Sequence, residues 1–187
     1  MKFLIHCQSV LAVSGAALLF YWGAVAIRAR LFQESEFRAY RARPYSVRFD
    51  SAKHPRDGSV IATLAIPDLK VSSVVVEGVS DRDLSLAPGH IPGTSLPGEE
   101  GNVGIAGHRD AVFRPLRWIG ANQIISLTTT RGERRYRVVS TEIVDPRDVR
   151  VLSQTGRNEL TLVTCYPFNY VGHAAKRLIV HADMVPQ

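Results

Sequence analysis

The 187-residue sequence holds only two cysteines, Cys7 and Cys165. Cys7 lies before or within an N-terminal apolar segment. If that segment spans a membrane or is removed, the folded part keeps one thiol and no possible internal disulfide. With so few cysteines there is no tight Cys/His ligand cluster, so neither a metal site nor a cofactor is expected. No Walker loop and no dinucleotide-binding glycine pattern occurs. Tandem repeats, heptads and low-complexity tracts are absent as well. No long helical pattern separates the strand-like runs, which argues against parallel α/β folds.

What remains is ordinary for a globular domain with a real core: 45% hydrophobic and 21% charged residues. The length allows one domain and an appendage. A formal net charge of +6 is unevenly spread, because Arg28, Arg30, Arg38, Arg41, Arg43 and Arg48 crowd behind the apolar segment with few acids nearby. A basic stretch invites a nucleic-acid reading. Its position directly after an apolar run favours contact with anionic lipid headgroups instead, so membrane lipid is the expected partner and nucleic acid is not.

Residues 10–27, VLAVSGAALLFYWGAVAI, carry no charge. At 1.5 Å per residue they cover roughly 27 Å, just enough to cross a hydrocarbon layer. Tyr21 and Trp22 suit an interfacial level. A cleaved signal peptide is the rival reading, with Ala24-Val25-Ala26 as a small-x-small site, but the run is long for one. The positive-inside rule alone would put the following domain in the cytoplasm. The expected organisation is a flank over 1–9, an anchor over 10–27, a basic stalk and linker over 28–57, and a catalytic domain over 58–187. Residues 28–43 contain good helix formers and should be a helical stalk fraying near Pro44.

Short strands are expected over 59–66, 71–77, 102–106, 124–128, 134–144, 160–165 and 177–182. Tyr136, Val138 and Ser140 should share one face of the fifth of these. A short helix over 80–87 is capped by Ser80, with Asp83 where a capping acid belongs. Short elements are also expected near 113–118 and 147–153. The Pro- and Gly-rich stretches 88–93 and 96–98 should be turns rather than regular structure. Many short strands punctuated by glycine and proline indicate an all-β, closed or nearly closed barrel with short helices.

Cys165 ends the apolar run Leu160-Thr161-Leu162-Val163-Thr164, ahead of Tyr166-Pro167-Phe168. Small free cysteines are commonly inert core residues. A reactive one needs a neighbour that holds positive charge or accepts a proton near neutral pH. His108 follows a small apolar strand flanked by Gly104 and Gly107, where glycines permit close backbone approach. His173 is close to Cys165 in sequence and is a second candidate. His90 lies in a turn and could line a groove, whereas His6, His54 and His181 are weaker candidates. Arg177 opens the last strand on the face opposite Leu178 and Val180, and a guanidinium there can donate to a developing oxyanion.

The run Thr161–Phe168 with Gly172 and Arg177, the motif Ile105-Ala106-Gly107-His108-Arg109-Asp110, and the segment from Gly89 to Gly98 together resemble the bacterial sortases, of a class D-like type. Ala175 departs from the proline often found there in the family. The resemblance implies an eight-stranded β-barrel behind a transmembrane helix, held at the cell membrane by a single pass with the catalytic domain outside the cytoplasm. It implies Cys165 as nucleophile, His108 as acid/base and Arg177 as oxyanion support, with Thr164, His90 and Tyr166 as substrate-groove candidates. The implied reaction cleaves an LPxTG-like sorting signal of a surface protein after threonine and transfers the acyl group to an amine on the cell envelope or a pilin. Two other readings stay open: a membrane-tethered thiol hydrolase that releases its product to water, and a peptide-binding barrel without turnover.

Overall fold

In the computed structural model the chain is described over residues 2–42, 55–170 and 172–186, with side chains of the first helix described from 10 to 40. Arg43, Pro44, Arg48, His54 and most of the expected linker lie outside the described residues, as do the side chains of His6, Cys7 and Arg41.

Helix α1 spans Lys2–Ala42 and runs through both the apolar stretch and the basic stretch behind it. From Val10 to Trp22 it is apolar and largely exposed; Phe20 is 80% exposed and Leu19 77%. It contains a segment long and apolar enough to cross a membrane. Its second half is a docked element rather than a free stalk. Phe32 and Phe37 pack with Tyr40 against Val60, Val74, Val76 and Ala87 on the outside of the barrel. The Tyr40 hydroxyl donates to Ile61 O at 2.7 Å. Gln33 accepts from Val74 N through Oε1 at 2.9 Å and donates through Nε2 to Leu86 O at 2.8 Å.

Among the described residues, eight strands close into a barrel in the order β1-β2-β3-β4-β7-β8-β6-β5. They are β1 Val60–Ile66, β2 Val71–Glu77, β3 Gly89–His90, β4 Asn102–Gly107, β5 Ile124–Thr129, β6 Gly132–Val144, β7 Glu159–Tyr166 and β8 Lys176–Met184. Closure removes the unpaired edges that a sheet would expose. Period-two alternation turns Leu64 and Ile66, Val103 and Ile105, Ile125 and Leu127, Leu160 and Leu162, and Val180 and Ala182 into one core. The interior is therefore packed with branched side chains, and chemistry is confined to the outer face and the strand ends.

Two expectations are corrected. Gly89–His90 is a strand, not only a turn, pairing parallel with β2 and antiparallel with β4. Gly89 makes this possible, since a Cβ there would meet Gly78 O at 2.0 Å. Ser140 does not share the face of Tyr136 and Val138, because the β6–β8 register shifts between Val138 and Ser140 and reverses the alternation. Helix α2, Asp81–Leu84, is capped as expected: Ser80 Oγ accepts from Asp83 N and donates to the Asp83 carboxylate at 2.6 Å.

Candidate active site

Strands β4 and β7 run parallel in register from Asn102↔Glu159 to Gly107↔Thr164. Their C-terminal ends are therefore level, and the residues immediately beyond that last pair are His108 and Cys165. On the other side of β7, the antiparallel β8 sets Arg177 directly across from Cys165. Neighbouring strands lie about 4.8 Å apart, so the three backbones fit within about 10 Å, a span their side chains can bridge. The imidazole, thiol and guanidinium are all half-buried. Cys165 lies on the outward face with Val163, because Leu160 and Leu162 point inward.

Each of these residues has a local support. A Cβ on Gly107 would come within 2.5 Å of the Phe113 ring, so only glycine lets the loop carrying His108 close over that fully buried aromatic. Thr164 Oγ1 donates to Gly107 O at 2.8 Å and ties the ends of β7 and β4 together. Arg177 Nη1 donates to Ala174 O at 3.2 Å and Lys176 O at 3.0 Å, so its guanidinium is held by the loop it follows. Beyond Cys165, Tyr166 and Phe168 meet edge to face at 6.3 Å, and the Arg117 guanidinium stands 5.2 Å over the Phe168 ring.

Thr164 and His90 are corrected as groove candidates. Thr164 is 2% exposed and faces inward, where its hydroxyl is spent on the backbone of β4. His90 is also 2% exposed. Its Nδ1 meets Glu77 Oε2 at 2.9 Å and its Nε2 meets Ser95 O and Thr94 Oγ1, each at 3.0 Å. A carbonyl can only accept, so Nε2 is the donor toward Ser95 O, and Nδ1 is left facing the Glu77 carboxyl group. This is an internal clasp on the loop ahead of β4. Tyr166 is half-buried at the barrel end beside Cys165, with its ring against the core. His173 is exposed on the loop between β7 and β8, and His181 pairs with Glu142 at 3.0 Å.

Residues to which the sequence assigned no role complete the surroundings. Arg109 donates from Nη1 to Pro167 O and from Nη2 to Gly172 O, both at 2.8 Å. It thus joins the segment after His108 to two points of the loop after Cys165, its first residue Pro167 and Gly172. On the other flank, Asn102 N donates to Gln154 Oε1 at 2.7 Å, and Gln154 Nε2 donates to Ser95 Oγ at 3.2 Å. Thr161 Oγ1 donates to Asn102 Oδ1 at 2.9 Å. The Gln154 bonds fasten the loop between β6 and β7 to the start of β4, and Leu152 of that loop leaves little room beyond glycine at 104, where a Cβ would lie 3.1 Å from its Cδ2. Their partners are more than fifty positions apart, which no local pattern reveals.

Among the described residues, no group of three or more His, Cys, Asp or Glu could hold a metal ion. The chemistry at hand is that of a thiol flanked by an imidazole and a guanidinium. Such a set suits nucleophilic attack on a carbonyl, with positive charge where an oxyanion develops.

Comparison with known proteins points the same way. The sortase domain profile matches residues 64–185. Sortase D of Bacillus subtilis is 37% identical over 132 residues, covering 70% of this chain and 67% of that protein. Sortase A of Streptococcus agalactiae is 28% identical over 134 residues, covering 67% of this chain and 53% of that protein. A Clostridium perfringens sortase D5 transpeptidase superposes with a TM-score of 0.73 at 27% identity, covering 85% of this chain and 99% of that one.

Proposed function

The chain belongs to the sortase family, and on that premise we propose that it is a membrane-anchored cysteine transpeptidase that acts on LPxTG-like sorting signals through Cys165, His108 and Arg177. The observation that carries the assignment of residues is the register: Cys165 opposite Arg177, and the end of β7 level with the end of β4 just before His108.

In this reading the Cys165 thiolate attacks the carbonyl after threonine in the bound signal. The Arg177 guanidinium supports the oxyanion as it forms. His108, as imidazolium, protonates the departing amine and then, as imidazole, takes a proton from the incoming amine. The C–N bond of the signal breaks as the thioester forms. An amine on the cell envelope or a pilin then displaces sulfur, which leaves as the thiolate beside the reprotonated His108. Helix α1 holds the protein in the membrane by a single pass, with the barrel outside the cytoplasm.

The test is the full chain incubated with a sorting peptide and an added amine, read by mass spectrometry. A thioacyl adduct on Cys165 and an amine-bearing product are expected. Cys165→Ala should lose both while remaining folded, and cleavage by that variant at a comparable rate would overturn the proposal. His108→Ala should suppress the adduct far more than His173→Ala. Product formed only with water would identify a hydrolase instead.

A further inference from the structure

Helix α1 leaves a trough of about 920 Å³ between itself and the barrel, walled by Phe20, Ala24, Ile27 and Leu31 on the helix and by Leu86 on the loop after α2. Among the described residues, the only charged ones lining it are Arg28 and Arg82, one from each wall. Both guanidinium groups are exposed, and among the described residues neither has a hydrogen bond or an ion pair. The walls are fixed relative to one another. Phe32 packs into the cluster formed by Tyr40, Val60, Val74, Val76 and Ala87, and Gln33 Nε2 holds the Leu86 carbonyl at 2.8 Å. The upper part of the trough is continuous with residues 20–27 of the uncharged stretch, so it opens where the membrane segment ends.

We propose that this trough is a binding site for one anionic phospholipid. An acyl chain would lie along Phe20, Ala24 and Ile27 against Leu86, and the headgroup phosphate would bridge Arg28 and Arg82. Apolar walls select a chain over free phosphate, because inorganic phosphate finds nothing to bury there. Two unpaired guanidinium groups with no acid in the lining select an anionic lipid over a zwitterionic one, and a guanidinium fork matches phosphate geometry. Each cation near a charged leaflet contributes enough that losing both weakens retention on the order of 10- to 30-fold. Occupancy would tie the barrel to the helix on a second line of contact beside the Gln33 clamp. The barrel edge formed by α2 and its following loop would then face the leaflet.

The full chain is reconstituted in mixed phosphatidylglycerol–phosphatidylcholine nanodiscs, released into mild detergent and weighed by native mass spectrometry. Retention of phosphatidylglycerol over phosphatidylcholine is expected. Arg28→Gln with Arg82→Gln should lower it on the order of 10- to 30-fold, whereas Arg135→Gln on β6 should leave it unchanged. Ala24→Trp, which fills the trough and keeps both arginines, should also abolish retention. Equal retention of the two lipids, or undiminished retention in either trough variant, overturns the proposal. The readout is bound mass, so it stands or falls independently of whether Cys165 turns over a peptide.

Discussion

Arg109 reaches from the segment after β4 to Pro167, donating to its carbonyl at 2.8 Å, two positions beyond Cys165. Its other terminal nitrogen holds Gly172 O at the same distance. One side chain therefore fixes the spacing between the His108 segment and the loop that leads from Cys165 to Arg177. Small displacements of reacting groups cost rate steeply. Arg109→Ala should lower kcat/KM by about tenfold or more, mostly through kcat, since both charge-assisted bonds are lost. Arg109→Lys should recover part of it, because an ammonium is a single point rather than a fork. A variant that bound peptide less tightly but reacted at the original kcat would show that Arg109 acts on substrate instead.

A second prediction concerns the opposite flank. Gln154 accepts from Asn102 N and donates to Ser95 Oγ, holding the loop between β6 and β7 over the outer face beside Gly104. Gln154→Ala should raise KM for a sorting peptide several-fold with kcat nearly kept, because the thiol end of β7 is untouched. Gly101 is the tighter constraint. It sits at φ +106, and a Cβ there would lie 2.3 Å from Gln154 Oε1 and 2.4 Å from Ser95 Oγ. Gly101→Ala should therefore cost about 1–3 kcal/mol in a denaturant titration, and a smaller loss than that of an exposed-site alanine would refute the clasp.

The buried His90–Glu77 pair makes a prediction by contrast of two variants. A glutamine at 77 can donate its amide N–H to Nδ1 of a neutral ring whose Nε2–H still serves Ser95 O. Glu77→Gln should thus be mild. Glu77→Ala strands Nδ1 in the interior and should cost about 1–3 kcal/mol. Thermal melts compare the two directly, and equal losses would mean that the carboxylate charge itself is required.

Much of this fold was legible because alternation is a local signal. The strands from Ile61 to Ile66 and from Leu160 to Leu162 declare an inward face without knowledge of their partners. The same alternation, carried two residues past Leu162, turns Thr164 inward, so its removal from the groove could have been read from parity. Cys165, His108 and Arg177 stood out through motif resemblance, and their placement on neighbouring strand ends is a matter of register that the pairing of β4, β7 and β8 supplies. His90 and the two-residue strand β3 were hidden by the prolines and glycines around them. The docking of α1 was hidden too, since helix-forming composition says nothing of what a helix touches.

That docking is itself testable. The Tyr40 hydroxyl donates to Ile61 O at 2.7 Å and its ring is 7% exposed, in a cluster with Val60, Val74, Val76 and Ala87. Tyr40→Phe removes the donor and should lower stability by about 1 kcal/mol. Tyr40→Ala also removes the buried ring and should cost about 3 kcal/mol or more. If α1 were merely a tether, both would leave the barrel's melting temperature where it was.

The barrel interior predicts an alkaline limit to stability. Tyr136 is 1% exposed, and burial raises the pKa of its phenol above the ordinary value near 10, with Arg134 pulling weakly the other way. In the unfolded chain the phenol gives up its proton near the ordinary value, whereas the folded one keeps it to higher pH. Between these values the native state binds more protons, so stability falls as pH rises. Its contribution is whole below about pH 10 and is lost as pH climbs through the folded value. Urea titrations at successive alkaline pH values should show a steeper decline for the wild type than for Tyr136→Phe, which has no proton to lose. Superimposable pH slopes would mean that the phenol titrates as it does in water, and that the barrel core around β6 opens before the ring is deprotonated.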